Sequence, residues 1–157
     1  MNVDGNKFRS IWFDESDQSV RIIDQTRLPH FFEIIELSTL QEACHAIHSM
    51  QVRGAPLIGA TAAFGIYLAL REGVSELDNV ARQLIATRPT AVNLQWAVDR
   101  VMTAIGSASG DAAQDIALTT AQAICEEDVS NCAAIGEHGV ALIRELAGNK
   151  QGRVNIL

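Results

Sequence analysis

The sequence predicts an α+β fold: a small antiparallel β-sheet at the N-terminus followed by a bundle of about five helices. Three observations carry that prediction. Short alternating or apolar runs typical of strands fall in the first 37 residues, apart from one at the very end of the chain. From Leu40 onward the apolar residues recur at helical spacing. Glycine and proline then punctuate the chain at intervals suited to helices of ordinary length.

The elements follow in order. Residues 8–13 and 20–23 flank Asp14-Glu15-Ser16-Asp17-Gln18, a run rich in turn formers, and read as a β-hairpin with a longer loop. A third strand is expected over 31–37, after the Leu28-Pro29 break. Ser38 with Gln41 three residues later has the form of a capping box. Leu40, Ala43, Cys44, Ile47 and Met50 continue it as the first helix. The second helix is expected to start near Ala55-Pro56, since proline suits the first helical turn, and to end at Gly73-Val74-Ser75. Ser75 is placed to cap a third helix reaching about Ala86. Arg88-Pro89-Thr90 interrupts and restarts the chain, and a fourth helix reaches about Ile105. A loop of small residues, 106–110, precedes a long helical segment from Asp111 to about Leu146. Gly136 and Gly139 inside it predict a bend or a close helix contact. The end of the chain, Arg153-Val154-Asn155-Ile156-Leu157, reads as the beginning of a buried strand.

Composition narrows the function. The chain has 157 residues, a size that suits one domain, and 48% of them are hydrophobic, enough for a sizeable core. Aromatics make up only 5%, so Ala, Ile and Leu must fill that core, which favours close-packed helices. The net charge of −7 and the lack of a Lys/Arg cluster argue against nucleic acid as a partner. A small anion needs only one or two local cations and stays possible. Residues 55–70 are apolar but short of a membrane span of about 20 residues, and the polar N-terminus has no signal-peptide pattern. The three cysteines, Cys44, Cys125 and Cys132, form no CxxC pair and read as reduced thiols of a cytoplasmic protein. His30, His45, His48 and His138 make no metal-ligand set, and no cofactor motif is present: neither GxGxxG after a strand nor a phosphate loop ending in Gly-Lys-Ser/Thr.

One kind of site is left. Arg53-Gly54-Ala55-Pro56 places a guanidinium directly before an apolar helix. The first turn of a helix presents free N–H groups and the positive end of the macrodipole, and both attract anions. Gly54 allows close backbone approach, and Arg53 can grip a phosphate with two N–H groups. The plainer reading is a solvated arginine beside an ordinary helix start. Arg88-Pro89-Thr90-Ala91-Val92-Asn93-Leu94 repeats the arrangement, with Thr90 and Asn93 in the first turn, so two arginine-led helix starts are available to one anion. Glu127 or Asp128 is a candidate partner for either arginine. No Ser/His/Asp or Cys/His pairing can be assembled.

The two arginine segments resemble those of the methylthioribose-1-phosphate isomerases. Met50-Gln51-Val52-Arg53-Gly54-Ala55-Pro56-Leu57-Ile58-Gly59 and Arg88-Pro89-Thr90-Ala91-Val92-Asn93-Leu94 carry the likeness. Weaker matches are Leu28-Pro29 after Asp24-Gln25-Thr26, and Glu127-Asp128-Val129 with Ala134-Ile135-Gly136-Glu137-His138-Gly139. The wider family includes ribose-1,5-bisphosphate isomerases and the regulatory alpha, beta and delta subunits of the initiation factor 2B exchanger. The resemblance implies an aldose–ketose isomerisation of 5-methylthioribose 1-phosphate in methionine salvage, without a cofactor or metal. It implies that Arg53, Gly54, Ala55 and Arg88 bind a small phosphosugar, and that the protein is a homodimer. In the family the strand that begins like Val154-Asn155-Ile156-Leu157 runs into a Thr-His-Cys-Asn segment with a catalytic cysteine, and a catalytic aspartate follows in a Rossmann-like domain. Neither is present here, so the resemblance places the catalytic residues outside this chain. Residues 1–148 are then a helical substrate-binding domain with its β-hairpin. Residues 149–157 are a linker and the start of an absent Rossmann-like domain, and the chain alone is expected to be inactive. Two alternatives stay open: a non-catalytic regulatory module, and a ribose-1,5-bisphosphate isomerase.

Overall fold

The computed structural model describes residues 2–3, 5–149, 152 and 154–155. Its strands are β1 (Asn2–Val3), β2 (Asn6–Lys7), β3 (Ile11–Asp14), β4 (Ser19–Ile23) and β5 (Ile34–Leu37), and its helices are α1 (Leu40–His48), α2 (Ala55–Arg71), α3 (Leu77–Thr87), α4 (Val92–Ile105) and α5 (Gly110–Asn149). The α+β class holds, with the sheet first and five helices after it. The expected strand over 153–157 falls largely outside the described residues; Val154 and Asn155 carry no strand assignment.

β3, β4 and β5 form one antiparallel sheet in that order, with Phe13 opposite Val20 and Val20 opposite Leu37. β4 is the middle strand, and Val20, Ile22 and Ile23 are fully buried. The hairpin loop is built from side chains acting on the backbone. Asp14 accepts from the Ser16 N–H at 3.0 Å, and Asp17 accepts from the Ser19 N–H at 3.1 Å. Arg21 forms ion pairs with both aspartates. β1 and β2 add a two-stranded ribbon that the strand patterns did not predict.

α2 is the centre of the helical part. Every residue from Ile58 to Leu70 is buried, so the helix is apolar all round and is enclosed by its neighbours. α1, α3 and α4 pack on it. Phe13 of β3 meets Tyr67 of α2 edge to face, with centroids 5.6 Å apart, which joins sheet to helices. The early part of α5 buries Ala113, Ala117, Ala121 and Ile124, one apolar stripe at helical spacing.

Two helix caps differ from expectation. The capping box of α1 is Thr39 with Glu42, not Ser38 with Gln41. The Ser38 hydroxyl instead donates to Glu36, and Gln41 reaches across to Gln83 of α3. Ser75 does not cap α3: the cap residue is Glu76, without a side-chain hydrogen bond.

The chain divides into two compact units, Met1–Cys125 and Glu126–Leu157. In the second, the helix continues to Asn149 and exposes Ile135, Leu142 and Leu146. A Cβ built on Gly136 or Gly139 would meet nothing within 4 Å, so the close contact expected there is absent among the described residues.

Candidate functional site

The segment between α1 and α2 carries the first arginine. Its path is constrained from both sides. Val52 is fully buried, and its N–H donates to the Ala46 carbonyl of α1 at 3.2 Å. After it, Arg53, Gly54, Ala55 and Pro56 are all exposed, and the chain re-enters the core at Ile58. Gly54 is the cap residue of α2, with φ 94° and ψ 136°, a conformation that glycine adopts without a Cβ penalty. Nothing lies within 4 Å of where its Cβ would be, so the glycine answers to backbone conformation rather than to crowding.

No side chain caps α2. A helix leaves its first four N–H groups without an intrahelical acceptor. Pro56 has no N–H, which leaves the amides of Gly54, Ala55 and Leu57. None of these three makes a hydrogen bond among the described residues. They are donors at the positive end of a 17-residue helix, with no acidic residue in its first turn to neutralise them.

Arg88 sits differently from the sequence expectation. It is the residue that ends α3, half-buried, and Pro89 does not start a helix. A turn intervenes, with the Ala91 N–H donating to the Arg88 carbonyl at 3.0 Å, and α4 begins at Val92. Thr90 therefore lies before the helix, while Asn93 is in its first turn. α4 has no side-chain cap either.

The two helix starts are nevertheless neighbours. Gly59, one turn into α2, faces Asn93 in the first turn of α4. A Cβ on Gly59 would come within 2.8 Å of the Asn93 carbonyl oxygen and 3.4 Å of Ala97 Cβ. The missing side chain is what lets the helices approach so closely here. A small residue in this apolar run reads as one that permits tight helix packing, and Gly59 does so here; which helix it meets was not readable from local spacing.

Most arginines of the first unit are occupied. Arg21 pairs with aspartates, Arg27 pairs with Glu33 and lies over Phe31, Arg71 donates to the Gln18 carbonyl, and Arg100 lies over Trp96. Among the described residues the guanidinium groups of Arg53 and Arg88 have no such partner. Arg82 and Arg144 share that property, so freedom alone does not single out a site. Its coincidence with an open helix start does, at Arg53. A cleft along α4, lined by Trp96, Asp99, Arg100, Thr103 and Ala104, involves neither Arg53 nor Arg88.

Cys44 is half-buried on α1, and burial pushes its thiol up, the wrong direction for a nucleophile. Cys132 is exposed on the second unit, as are Glu127 and, half-buried, Asp128. No group of three His, Cys, Asp or Glu among the described residues is arranged to hold a metal ion. No helix among them is long and apolar enough to cross a membrane.

Comparison with known proteins finds relatives of this chain. Residues 51–153 match the model of the initiation factor 2 subunit family. A methylthioribose-1-phosphate isomerase of Acidiphilium cryptum (strain JF-5) is 52% identical over 160 aligned positions, covering all of this chain and 43% of that protein. The chain thus spans less than half the length of that relative. Among solved structures, the translation initiation factor eIF-2B subunit delta from A. fulgidus is 37% identical with a TM-score of 0.68, over 78% of this chain and 38% of that one. The 5-methylthioribose 1-phosphate isomerase from Pyrococcus horikoshii OT3 is 34% identical with a TM-score of 0.66, over 77% of this chain and 36% of that one.

Proposed function

The chain belongs to the initiation factor 2 subunit family, and on that premise we propose that it is the phosphosugar-binding part of an aldose–ketose isomerase. The reaction is the conversion of 5-methylthioribose 1-phosphate to 5-methylthioribulose 1-phosphate in methionine salvage. The observation that supports this reading most directly is the start of α2. Three amides without an acceptor follow an unpaired arginine in sequence there, and the start of α4 close by has no side-chain cap either.

In this reading the phosphate lies against the Gly54 and Ala55 amides, and Arg53 closes on it with charge-assisted hydrogen bonds. Arg88 takes a second oxygen of the same substrate from the α3–α4 turn. Holding the phosphate orients the sugar for hydrogen transfer between its first two carbons, which is a contribution through positioning. No side chain of this chain is assigned the proton transfer itself. We also place the protein in the cytoplasm, as part of a homodimer.

Calorimetric titration tests the reading. The chain should bind 5-methylthioribose 1-phosphate and ignore 5-methylthioribose, which lacks the phosphate. It should show no turnover alone. Equal affinity for the two sugars would overturn the phosphate assignment. Absence of binding would favour a regulatory module, the reading suggested by likeness to the A. fulgidus protein.

A further inference from the structure

We propose that Asp24 and Gln51 form a latch that positions Arg53 and Gly54 for the phosphosugar, an inference that rests on the phosphate reading above. Asp24 follows β4 and is only 5% exposed, which is unusual for a carboxylate. A buried charge is costly unless hydrogen bonds satisfy it. Here Oδ1 accepts from the Thr26 N–H at 2.9 Å and from the Thr26 hydroxyl at 2.6 Å. Oδ2 accepts from the Gln51 side-chain amide at 3.3 Å. The neighbouring Gln25 N–H donates to the Gln51 carbonyl at 2.9 Å. Gln51 is therefore held by its side chain and its backbone at once, two residues before Arg53.

The same Asp-x-Ser/Thr turn occurs at Asp14-Glu15-Ser16 and Asp17-Gln18-Ser19, where the aspartates bond locally and to Arg21. Asp24 differs by reaching a residue 27 positions away. That long reach needs a reason, and the segment it restrains supplies one. Met50 has φ 64° and Gly54 has φ 94°, so the connection passes through the left-handed region twice within five residues. At Met50, which carries a Cβ, such a conformation persists only where surrounding contacts hold it. With Gln51 clamped and Val52 buried, the path left to Arg53 and Gly54 is short. A prepositioned binding segment loses less conformational freedom when the ligand arrives. Asp24 and Gln51 are thus positioning residues: they touch the loop, and the loop touches the phosphate.

The chemistry of the pair allows a reciprocal test in the full chain. Gln51→Glu sets a second carboxylate against Asp24 and should open the latch. Adding Asp24→Asn supplies an amide donor to that new carboxylate and should close it again. Affinity for 5-methylthioribose 1-phosphate is read by titration, and hydrogen exchange is followed at the Gln25 and Val52 amides, which donate to the Gln51 and Ala46 carbonyls. The expected result is about a tenfold loss of affinity in Q51E, with faster exchange at Gln25 and Val52 and unchanged exchange in α3. Affinity and protection should both return in D24N/Q51E. An R53A background should largely erase the effect of Q51E on affinity, because both act at one place. Wild-type affinity in Q51E, or failure of the double variant to recover, overturns the latch. R53A binding as tightly as wild type overturns the phosphate reading itself, and the two failures are distinguished by which variant keeps its affinity.

Discussion

At the start of α1, the Thr39 and Ser38 amides donate to Glu42, the Leu40 amide donates to Glu72 at 2.8 Å, and the Glu42 amide donates to the Thr39 hydroxyl. At the start of α2, no side chain serves the Gly54, Ala55 and Leu57 amides. α1 has nine residues and lies near the surface, so its end groups matter to whether it forms at all. α2 has 13 consecutive buried residues behind its open end, so burial, rather than a cap, holds it in place. The difference shows where a fold can leave donors unsatisfied: at the end of the element that packing already secures. The closed end serves stability and the open end is available to a ligand.

The sharpest way to break this contrast is to remove the cation at the open end. Arg53→Ala should weaken binding of 5-methylthioribose 1-phosphate by about 10- to 100-fold, the loss of one or two charge-assisted hydrogen bonds. Its melting temperature should not move, because the exposed guanidinium has no partner in the fold. A fall in stability without a fall in affinity would reverse the assignment of the two ends.

The next test acts on the packing that brings the α2 and α4 starts together. Gly59→Ala forces a Cβ against the Asn93 carbonyl oxygen, a backbone atom that moves only if α4 moves. We expect a cost of about 1–3 kcal/mol, measured by denaturant unfolding, together with weaker phosphosugar binding. Gly65→Ala is the control. Its Cβ would come within 2.9 Å of Leu84 Cδ2, the tip of a side chain rather than a backbone atom. It should cost less and leave binding unchanged. Equal costs for both would mean that α4 adjusts freely and that its position beside α2 is not fixed by Gly59.

The architecture was legible where local rules are strong. Short apolar or alternating runs marked β3 and β4, and Pro56 in Ala55-Pro56 marked the start of α2. The rules failed where two local solutions compete. Ser38-x-x-Gln41 and Thr39-x-x-Glu42 both fit a capping box, and burial of Leu40 as the first helical residue selects the second. Pro89 fits a helix start, but the chain first turns from Arg88 to Ala91 before α4 begins. The Asp-Gly dipeptide at positions 4–5 is a hairpin signal, and β1 and β2 flank it. For the site, Arg53 and the α2 start were readable as an anion-binding possibility. The Gly59–Asn93 contact and the Asp24–Gln51 latch were not, since each joins residues more than 25 positions apart.

A smaller effect is expected at the closed end. Thr39→Ala removes the hydroxyl that accepts from the Glu42 amide and should cost about 1 kcal/mol. Affinity for the phosphosugar should be that of the wild type. Arg53→Ala and Thr39→Ala together form a crossed pair, each moving the quantity that the other leaves alone. Loss of affinity in T39A would mean that the two helix starts are coupled rather than separate.

The smallest effect concerns acid, and it extends the contrast to the hairpin, where side chains again satisfy backbone amides. The Ser16 hydroxyl bonded to Asp14, and the Ser19 hydroxyl bonded to Asp17 with Arg21 beside it, hold both carboxyls below the usual aspartate range. A carboxyl depressed in the folded state contributes stability above its unfolded value, about pH 4, and that contribution is lost as pH falls through the folded value. Both groups are solvent-accessible and screened, so the effect on overall stability is minor. It is better read locally, from the Ser19 amide resonance during acid titration. That resonance should stay constant down to about pH 4 and shift only below it, while Asp17→Asn, which keeps an acceptor for the Ser19 amide, should flatten the response. The α2 start has no acid in its first turn, so the Gly54 and Ala55 amides should show no matching transition. A shift of the Ser19 amide centred above pH 4 would mean that its hydrogen bond does not stabilise the charged carboxylate, and a parallel shift at Gly54 would mean that an acidic side chain reaches the start left open for a ligand.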